Sequence, residues 1–105
     1  MEQERRRTQR FSFIAHAELR EDSSGVHVVT RVNELGLYGC YLDMMNPFPA
    51  GTMVTLRIVA GEETFETHGK IIYTQPNIGA GVAFLDVEAK YQPLLRRWLE
   101  AAGSR

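Results

Sequence analysis

Apolar and polar residues alternate along most of the chain. In the first alternating segment one face carries Phe11, Phe13, Ala15, Ala17 and Leu19. The other face carries polar residues such as Ser12 and Glu18, with Ile14 as the exception. A period of two residues is typical of a β-strand that a hydrophobic core covers on one side only. The pattern therefore predicts a strand over residues 11–19.

Five further segments repeat this alternation, at residues 26–33, 38–44, 54–59, 65–73 and 81–86. Turn-forming residues separate neighbouring segments, as in EDSSG before the second segment and QPN before the last. The inward face of the third segment is predicted to consist of Tyr38, Cys40, Leu42 and Met44. One face of the fifth consists of Phe65, Thr67, Gly69, Ile71 and Tyr73.

The hydrophobic period changes near the C-terminus. Apolar residues there recur at the spacing of one helix face, at Tyr91, Leu94, Leu95, Trp98, Leu99 and Ala102. Because proline is tolerated only in the first turn of a helix, Pro93 places the start of this helix near residue 90. Gly103 provides a C-terminal stop, so the helix is predicted over about residues 90–102.

Six short strands followed by one helix predict an all-β fold, a six-stranded antiparallel β-barrel with a C-terminal α-helix. Closure of the sheet would remove exposed strand edges, and the helix would cover one opening or side of the barrel. A chain of 105 residues with 44% hydrophobic residues suits a single domain. We expect a flexible arginine-rich arm at residues 1–10 and the barrel with its helix at residues 11–105.

The charge is distributed unevenly although the net charge is only -1. Residues 1–10 contain four arginines and two glutamates, whereas the remainder carries 8 of the 12 basic and 11 of the 13 acidic residues. A protein that binds DNA or RNA through its whole surface is normally more basic than this. The sequence therefore predicts no nucleic-acid partner, and any anionic ligand should be small and locally held.

Catalytic signatures are missing from the sequence. No nucleophile elbow, phosphate-binding loop or HExxH motif occurs. His16, His27 and His68 lie on three different predicted strands at unrelated spacings, which does not indicate a metal site. Cys40 is the single cysteine and lies among apolar residues, so a buried and unreactive thiol is expected. We expect no enzyme activity, no metal and no cofactor.

Targeting and membrane signals are also missing. No apolar run approaches the roughly 20 residues that a membrane-spanning helix needs. The N-terminal residues MEQERRRTQRF lack the apolar stretch of a signal peptide. We therefore expect a cytoplasmic protein without membrane insertion, and the sequence does not indicate its oligomeric state.

Four arginines precede the first predicted strand, in the segment RRRTQR at residues 5–10. The planar guanidinium group donates two parallel hydrogen bonds to phosphate oxygens or to the Hoogsteen edge of guanine. A mobile arm with several such groups is able to close over a small anionic nucleotide. Taken alone, the segment is more typical of a solvated tail.

Four segments together resemble the PilZ domain family. Arg5, Arg6 and Arg10 match its RRxxxR element, and residues 34–42 (ELGLYGCYL) stand where the family carries D/N-x-S-x-x-G. Residues 69–73 (GKIIY) and 79–86 (GAGVAFLD) are similar to its last two barrel strands. The resemblance covers Arg5 to about residue 102 and implies a six-stranded barrel with a C-terminal helix.

The resemblance also implies a ligand, because many PilZ domains are receptors for the bacterial second messenger cyclic di-GMP. In those domains the RxxxR arginines contact phosphates and guanine edges, and the second motif contacts the other side of the nucleotide. The chain departs from the second motif, with Glu34 at the Asp/Asn position and Gly36 at the Ser position. The ligand-binding residues that the resemblance implies are Arg5, Arg6, Arg10, Asn33, Glu34, Gly36 and Gly39.

Two functions are compatible with this resemblance. In the first, cyclic di-GMP binds on the barrel, the arm closes over it, and the change alters binding to an unidentified effector protein. In the second, the altered motif has lost the nucleotide and the same fold acts as a protein-interaction module. Both functions are non-catalytic.

Overall fold

The computed structural model describes residues 9–103 and forms a closed antiparallel barrel. Its strands are β1 (Arg10–Glu21), β2 (His27–Gly36), β3 (Gly39–Asp43), β4 (Met53–Ala60), β5 (Glu63–Gln75) and β6 (Gly79–Leu85). A single 3-10 turn, Ala89–Tyr91, leads into helix α1, Gln92–Gly103. Around the barrel the order is β1-β2-β3-β6-β5-β4. The predicted six-stranded antiparallel barrel with a C-terminal helix is confirmed.

The core fills the barrel with the inward residues of every strand. Its fully buried side chains include Leu19, Val32, Leu35, Leu42, Val54, Leu56, Ile58, Phe65, Ile71 and Val82. The alternation in the sequence therefore reports the pleat of the sheet directly, since successive side chains of a strand point to opposite faces. Cys40 and Met44 are buried as predicted.

Helix α1 packs on the end of the barrel where β1 and β5 begin. Its Leu95 and Trp98 are buried, and the Trp98 ring lies 5.2 Å from the ring of Phe13, centroid to centroid. The indole Nε1 of Trp98 donates a hydrogen bond to Oε1 of Glu63 at 3.0 Å, and Nη2 of Arg97 lies 2.9 Å from Oε2 of the same carboxylate. Within residues 9–103 no helix has the length and hydropathy needed to cross a membrane.

Three irregularities in strand pairing bend the barrel and change which side chains face out. They lie between Ser12 and Ala15 in β1, between Val32 and Glu34 in β2, and between Ile71 and Tyr73 in β5. An extra residue in one strand shifts every later side chain to the other face relative to a strict alternation.

Tyr38 corrects one prediction of the sequence analysis. The alternation predicts Tyr38 on the inward face of the third strand, but it lies in the turn between β2 and β3 and is 63% exposed. The strand begins only at Gly39, so the alternation that includes Cys40 and Leu42 does not extend back to Tyr38.

Candidate functional site

Arg10 and Glu34 come together on the outer face of the barrel. In the β1–β2 ladder Arg10 pairs with Gly36 and Ser12 pairs with Glu34, which makes Arg10 and Glu34 diagonal neighbours. Long side chains in this relationship are able to reach one another. Nη1 of Arg10 lies 3.8 Å from Oε1 of Glu34, and both side chains remain about half exposed. The register of β1 and β2 thus places a guanidinium and a carboxylate side by side.

Tyr73 approaches the same guanidinium from β5. Nη1 of Arg10 donates a hydrogen bond of 3.4 Å to the Tyr73 hydroxyl, and this bond raises the pKa of Arg10 above its ordinary value. The phenol lies on the outer face because β5 is irregular between Ile71 and Tyr73. Its ring covers Gly81 of β6, where a Cβ atom would lie 2.6 Å from Cζ of Tyr73.

Tyr41 of β3 provides a second aromatic ring beside the first. The ring centroids of Tyr41 and Tyr73 are 6.2 Å apart and the ring planes are tilted by 34°. Tyr41 covers Gly79 of β6, where a Cβ would lie 2.6 Å from its Cε2, and its hydroxyl donates a hydrogen bond to Oε1 of Gln75. Burial raises the pKa of the Tyr41 phenol. The two glycines of β6 are therefore the reason that both rings are able to lie over the sheet.

Asp43 binds two side chains of β2 at the far end of this face. Its Oδ2 accepts a hydrogen bond of 2.7 Å from Nε of Arg31, and its Oδ1 accepts one of 3.3 Å from Nδ2 of Asn33. Asn33 lies at the irregular position of β2. Its amide is already engaged with Asp43, so binding a ligand through Nδ2 requires this hydrogen bond to be exchanged.

The residues that sequence reasoning singled out have different places in the structure. Arg5 and Arg6 lie outside the described residues. Arg10 and Glu34 are in contact, and Gly36 lies beneath the Arg10 side chain, where a Cβ would be 3.3 Å from Cγ of Arg10. Gly39 allows β3 to approach β6 closely, because a Cβ there would meet the backbone oxygen of Val82.

Tyr41 and Tyr73 belong to this face but were not among the predicted site residues. The alternation predicts Tyr73 on the same face as Phe65 and Ile71, which are buried, whereas Tyr73 itself is 38% exposed. The available signal was the pair Gly79 and Gly81, which face the two rings across neighbouring strands. Glycines at alternate positions of a strand often mark a close approach by another group.

The model of the family described as "PilZ domain" matches residues 4–101. The chain belongs to the PilZ domain family. The resemblance seen in the sequence is confirmed, and homologues in this family are known to bind cyclic di-GMP. Domains of the family are generally non-catalytic receptor domains.

Solved structures of PilZ domains share the fold at low sequence identity. The PilZ domain with c-di-GMP of YcgR from Escherichia coli has a TM-score of 0.77 and 16% identity, over 95% of this chain and 92% of that one. The inhibitor of motility MotI/DgrA of Bacillus subtilis has a TM-score of 0.74 and 15% identity, over 95% of this chain and 52% of that one.

A third solved structure is the PilZ domain of CeSA from a cellulose-synthesizing bacterium, with a TM-score of 0.66 and 16% identity over 91% of this chain and 96% of that one. A search of curated proteins returned no match.

The outer face of this PilZ domain brings the Arg10 guanidinium, two phenol rings and the Glu34 carboxylate close together, and the Asp43 carboxylate lies at its far end. Among residues 9–103 no group of three or more His, Cys, Asp or Glu side chains is arranged to hold a metal. Cys40 is buried, and burial raises the pKa of its thiol to about 12, which leaves it protonated and unreactive at neutral pH.

A separate groove of about 340 Å³ lies between the β2–β3 turn and helix α1. Its apolar lining includes Leu37, Tyr38, Phe84 and Leu95, and Arg96 and Asp86 are its charged residues. Leu37 and Tyr38 lie between Gly36 and Gly39, so the same turn borders both the groove and the face that carries Arg10.

Proposed function

We propose that this PilZ domain is a non-catalytic cytoplasmic receptor for cyclic di-GMP, which binds on the outer face of the barrel formed by β1, β2, β3, β6 and β5. Arg6 and Arg10 contact the nucleotide, supported by Arg5. The observation that carries this proposal is the position of the Arg10 guanidinium, which contacts the Tyr73 hydroxyl on an exposed surface where the Tyr41 ring lies beside that of Tyr73.

The chemistry of cyclic di-GMP fits these groups. Each phosphodiester is a monoanion, and each guanine offers O6 and N7 on its Hoogsteen edge. An arginine fork donates two hydrogen bonds to either group. Arg10 starts β1, and the RRxxxR element places Arg6 four residues earlier in the chain. Two arginines at this spacing are suited to contact two parts of one ligand.

The tyrosine rings add a surface on which a base is able to stack. Stacking of one base on an aromatic side chain contributes about 1–3 kcal/mol and tolerates any base, because every base has a π-face. Tyr73 and Tyr41 lie over glycines, so no β6 side chain stands between the rings and the sheet beneath. Selectivity for guanine would then come from its edges and not from stacking.

A carboxylate on this face complements the remaining edge of guanine. N1–H and N2–H of guanine are donors, and Asp43 supplies acceptor oxygens at the far end of the face. Gly36 and Gly39 leave the backbone of the second motif without side chains at these positions. The hydroxyl that the family motif places at Gly36 is missing, and one such hydrogen bond is typically worth about 0.5–1.5 kcal/mol. The arginines and rings therefore have to supply most of the affinity.

A receptor of this kind signals by changing an interaction with an effector protein. The turn that follows Gly36 connects the nucleotide face to the groove beside α1. Closure of the arm over the ligand would be a disorder-to-order switch. A change in the conformation of the β2–β3 turn would alter the groove directly, because Leu37 and Tyr38 line it. The effector is expected to contact one or both of these surfaces.

Isothermal titration with cyclic di-GMP tests the proposal, with GTP and GMP as competing nucleotides. We expect selective binding in the nanomolar to low-micromolar range. The double variant Arg6→Ala/Arg10→Ala should lose binding while its thermal midpoint stays close to that of the wild type. Arg20→Ala is the matched control, because Arg20 is an exposed arginine at the opposite end of β1. Wild-type affinity in the double variant would overturn the proposal.

The second candidate is a protein-interaction module that does not bind cyclic di-GMP. The apolar groove beside α1 favours it, because Tyr38 is 63% exposed at its edge. In this case titration with cyclic di-GMP gives no heat, and a partner is recovered equally with and without the nucleotide. Recovery of a partner that depends on nucleotide would contradict it.

A further inference from the structure

Two departures from the PilZ motif act on the same side chain. Gly36 faces Arg10 across the β1–β2 ladder, and Glu34 is the diagonal neighbour of Arg10. A Cβ at position 36 would lie 3.3 Å from Cγ of Arg10 and 3.0 Å from the backbone oxygen of Gln9. Because Gly36 has no Cβ, the Arg10 side chain has room to lie against β2.

Glu34 then meets the guanidinium that lies in this space. Its Oε1 is 3.8 Å from Nη1 of Arg10, and the same Nη1 donates to the hydroxyl of Tyr73. Among the described residues Glu34 has no other charged partner, and Arg10 forms no other ion pair. Arg10 is thus held by two groups in the absence of any ligand.

We propose that Glu34 and Gly36 form a self-closed resting state, in which the Glu34 carboxylate occupies Arg10 and an anionic ligand has to displace it. The inference rests on the proposed function for the identity of the ligand, cyclic di-GMP. The Glu34 carboxylate and a ligand phosphate are both attracted to the one guanidinium of Arg10, so an anionic ligand has to compete with Glu34 for the position beside it. Glu34 is then a residue that sets the concentration at which the receptor responds.

The size of the effect follows from the exposure of the pair. Both side chains are about half exposed, with 42% for Arg10 and 50% for Glu34. Exposed ion pairs are weak and change an equilibrium constant by roughly one and a half- to fivefold. The resting state is therefore readily opened by the ligand. The opposite role, in which Glu34 accepts hydrogen bonds from guanine, predicts weaker binding when the carboxylate is removed.

Glu34→Gln separates these roles, because it removes the charge and keeps the shape. We expect cyclic di-GMP to bind this variant about two- to fivefold more tightly than the wild type in isothermal titration. Glu62→Gln is the control for a change in net charge, since Glu62 lies in the β4–β5 turn across the barrel from β2 and β3. It should bind as the wild type does. Unchanged or weaker binding by Glu34→Gln would overturn the inference.

A second measurement needs no ligand. Nuclear magnetic relaxation of the Nε–Hε group of Arg10, assigned by its loss in Arg10→Lys, reports how firmly the side chain is held. We expect greater motion in Glu34→Gln and in Gly36→Ala than in the wild type, and equal motion in all three would contradict the resting state. If the wild type binds no cyclic di-GMP but Arg10 is released in the variants, the proposed function fails and the resting state stands.

Discussion

Arg10 and Tyr73 are 63 positions apart in the sequence, yet Nη1 of Arg10 lies 3.4 Å from the hydroxyl of Tyr73. The contact joins the first residue of β1 to the end of β5 across the intervening β2, β3 and β6. It forms because the irregular pairing of β5 turns Tyr73 outwards and because Gly81 lets the ring lie over β6. A polar arm and an aromatic surface thereby become parts of one site.

Replacement of Tyr73 measures what the ring contributes. Tyr73→Ala removes the stacking surface, which is worth about 1–3 kcal/mol, and should weaken binding of cyclic di-GMP roughly 5- to 150-fold. Tyr73→Phe keeps the ring and loses only an exposed hydrogen bond, so its affinity should remain within about threefold of the wild type. Isothermal titration of both variants checks this, and equal losses in both would show that the hydroxyl rather than the ring is needed.

Gly81→Ala tests the support beneath that ring. The added Cβ would lie 2.6 Å from Cζ of Tyr73, which is too close, so the ring has to swing away from the sheet. We expect weaker binding of cyclic di-GMP in this variant, with circular dichroism confirming that the barrel is retained. In a Tyr73→Ala background the same substitution should have no further effect on affinity. A further loss of affinity in that background would show that Gly81→Ala weakens binding through another part of β6 and not through the Tyr73 ring.

The barrel could be predicted from the sequence because its strands are covered on one face only. Burial of Leu19, Val32 and Leu56 at every second position is the direct consequence of the pleat. The bulges could not be predicted, since one extra residue in a strand leaves no mark on its composition. This is why a strict alternation predicts Tyr73 on the same face as Ile71. Tyr38 has a different reason, because it lies in the turn and β3 begins only at Gly39.

Part of the site could be predicted because two of its residues lie in local sequence motifs on adjacent strands. Arg10 and Glu34 stand out by local motifs, and the ladder between adjacent strands brings them together. Tyr41 and Tyr73 join the site through β6, a strand that lies between theirs and follows them both in sequence. The order of strands around a barrel is a tertiary property, so a pass along the sequence does not reveal which outward side chains become neighbours. The positions of Arg5 and Arg6 against this face stay a prediction.

Cys40 provides a test of the closed barrel that is independent of any ligand. It is 2% exposed, and burial raises the pKa of its thiol to about 12. Because the thiolate is the reactive form, alkylation by iodoacetamide at pH 8 should be at least about a hundredfold slower in the native protein than in urea. Intact mass spectrometry follows the reaction. Rapid labelling of the native protein would mean that β3 opens far more often than the packing of its neighbours implies.

The contacts between Glu63 and helix α1 should stabilise the fold in a pH-dependent way. Hydrogen bonds from Arg97 and Trp98 lower the pKa of this carboxyl below its usual value of about 4.3. A lowered folded-state pKa contributes stability that is fully present above the unfolded value and is lost as the pH falls through the folded one. We therefore expect Glu63→Gln to be less stable than the wild type at pH 7, with the difference shrinking below about pH 4. Urea unfolding followed by the fluorescence of Trp98, the single tryptophan, measures it. Glu62→Gln should retain the wild-type pH profile, and a Glu63→Gln difference that does not shrink as the pH falls would contradict the ionic origin.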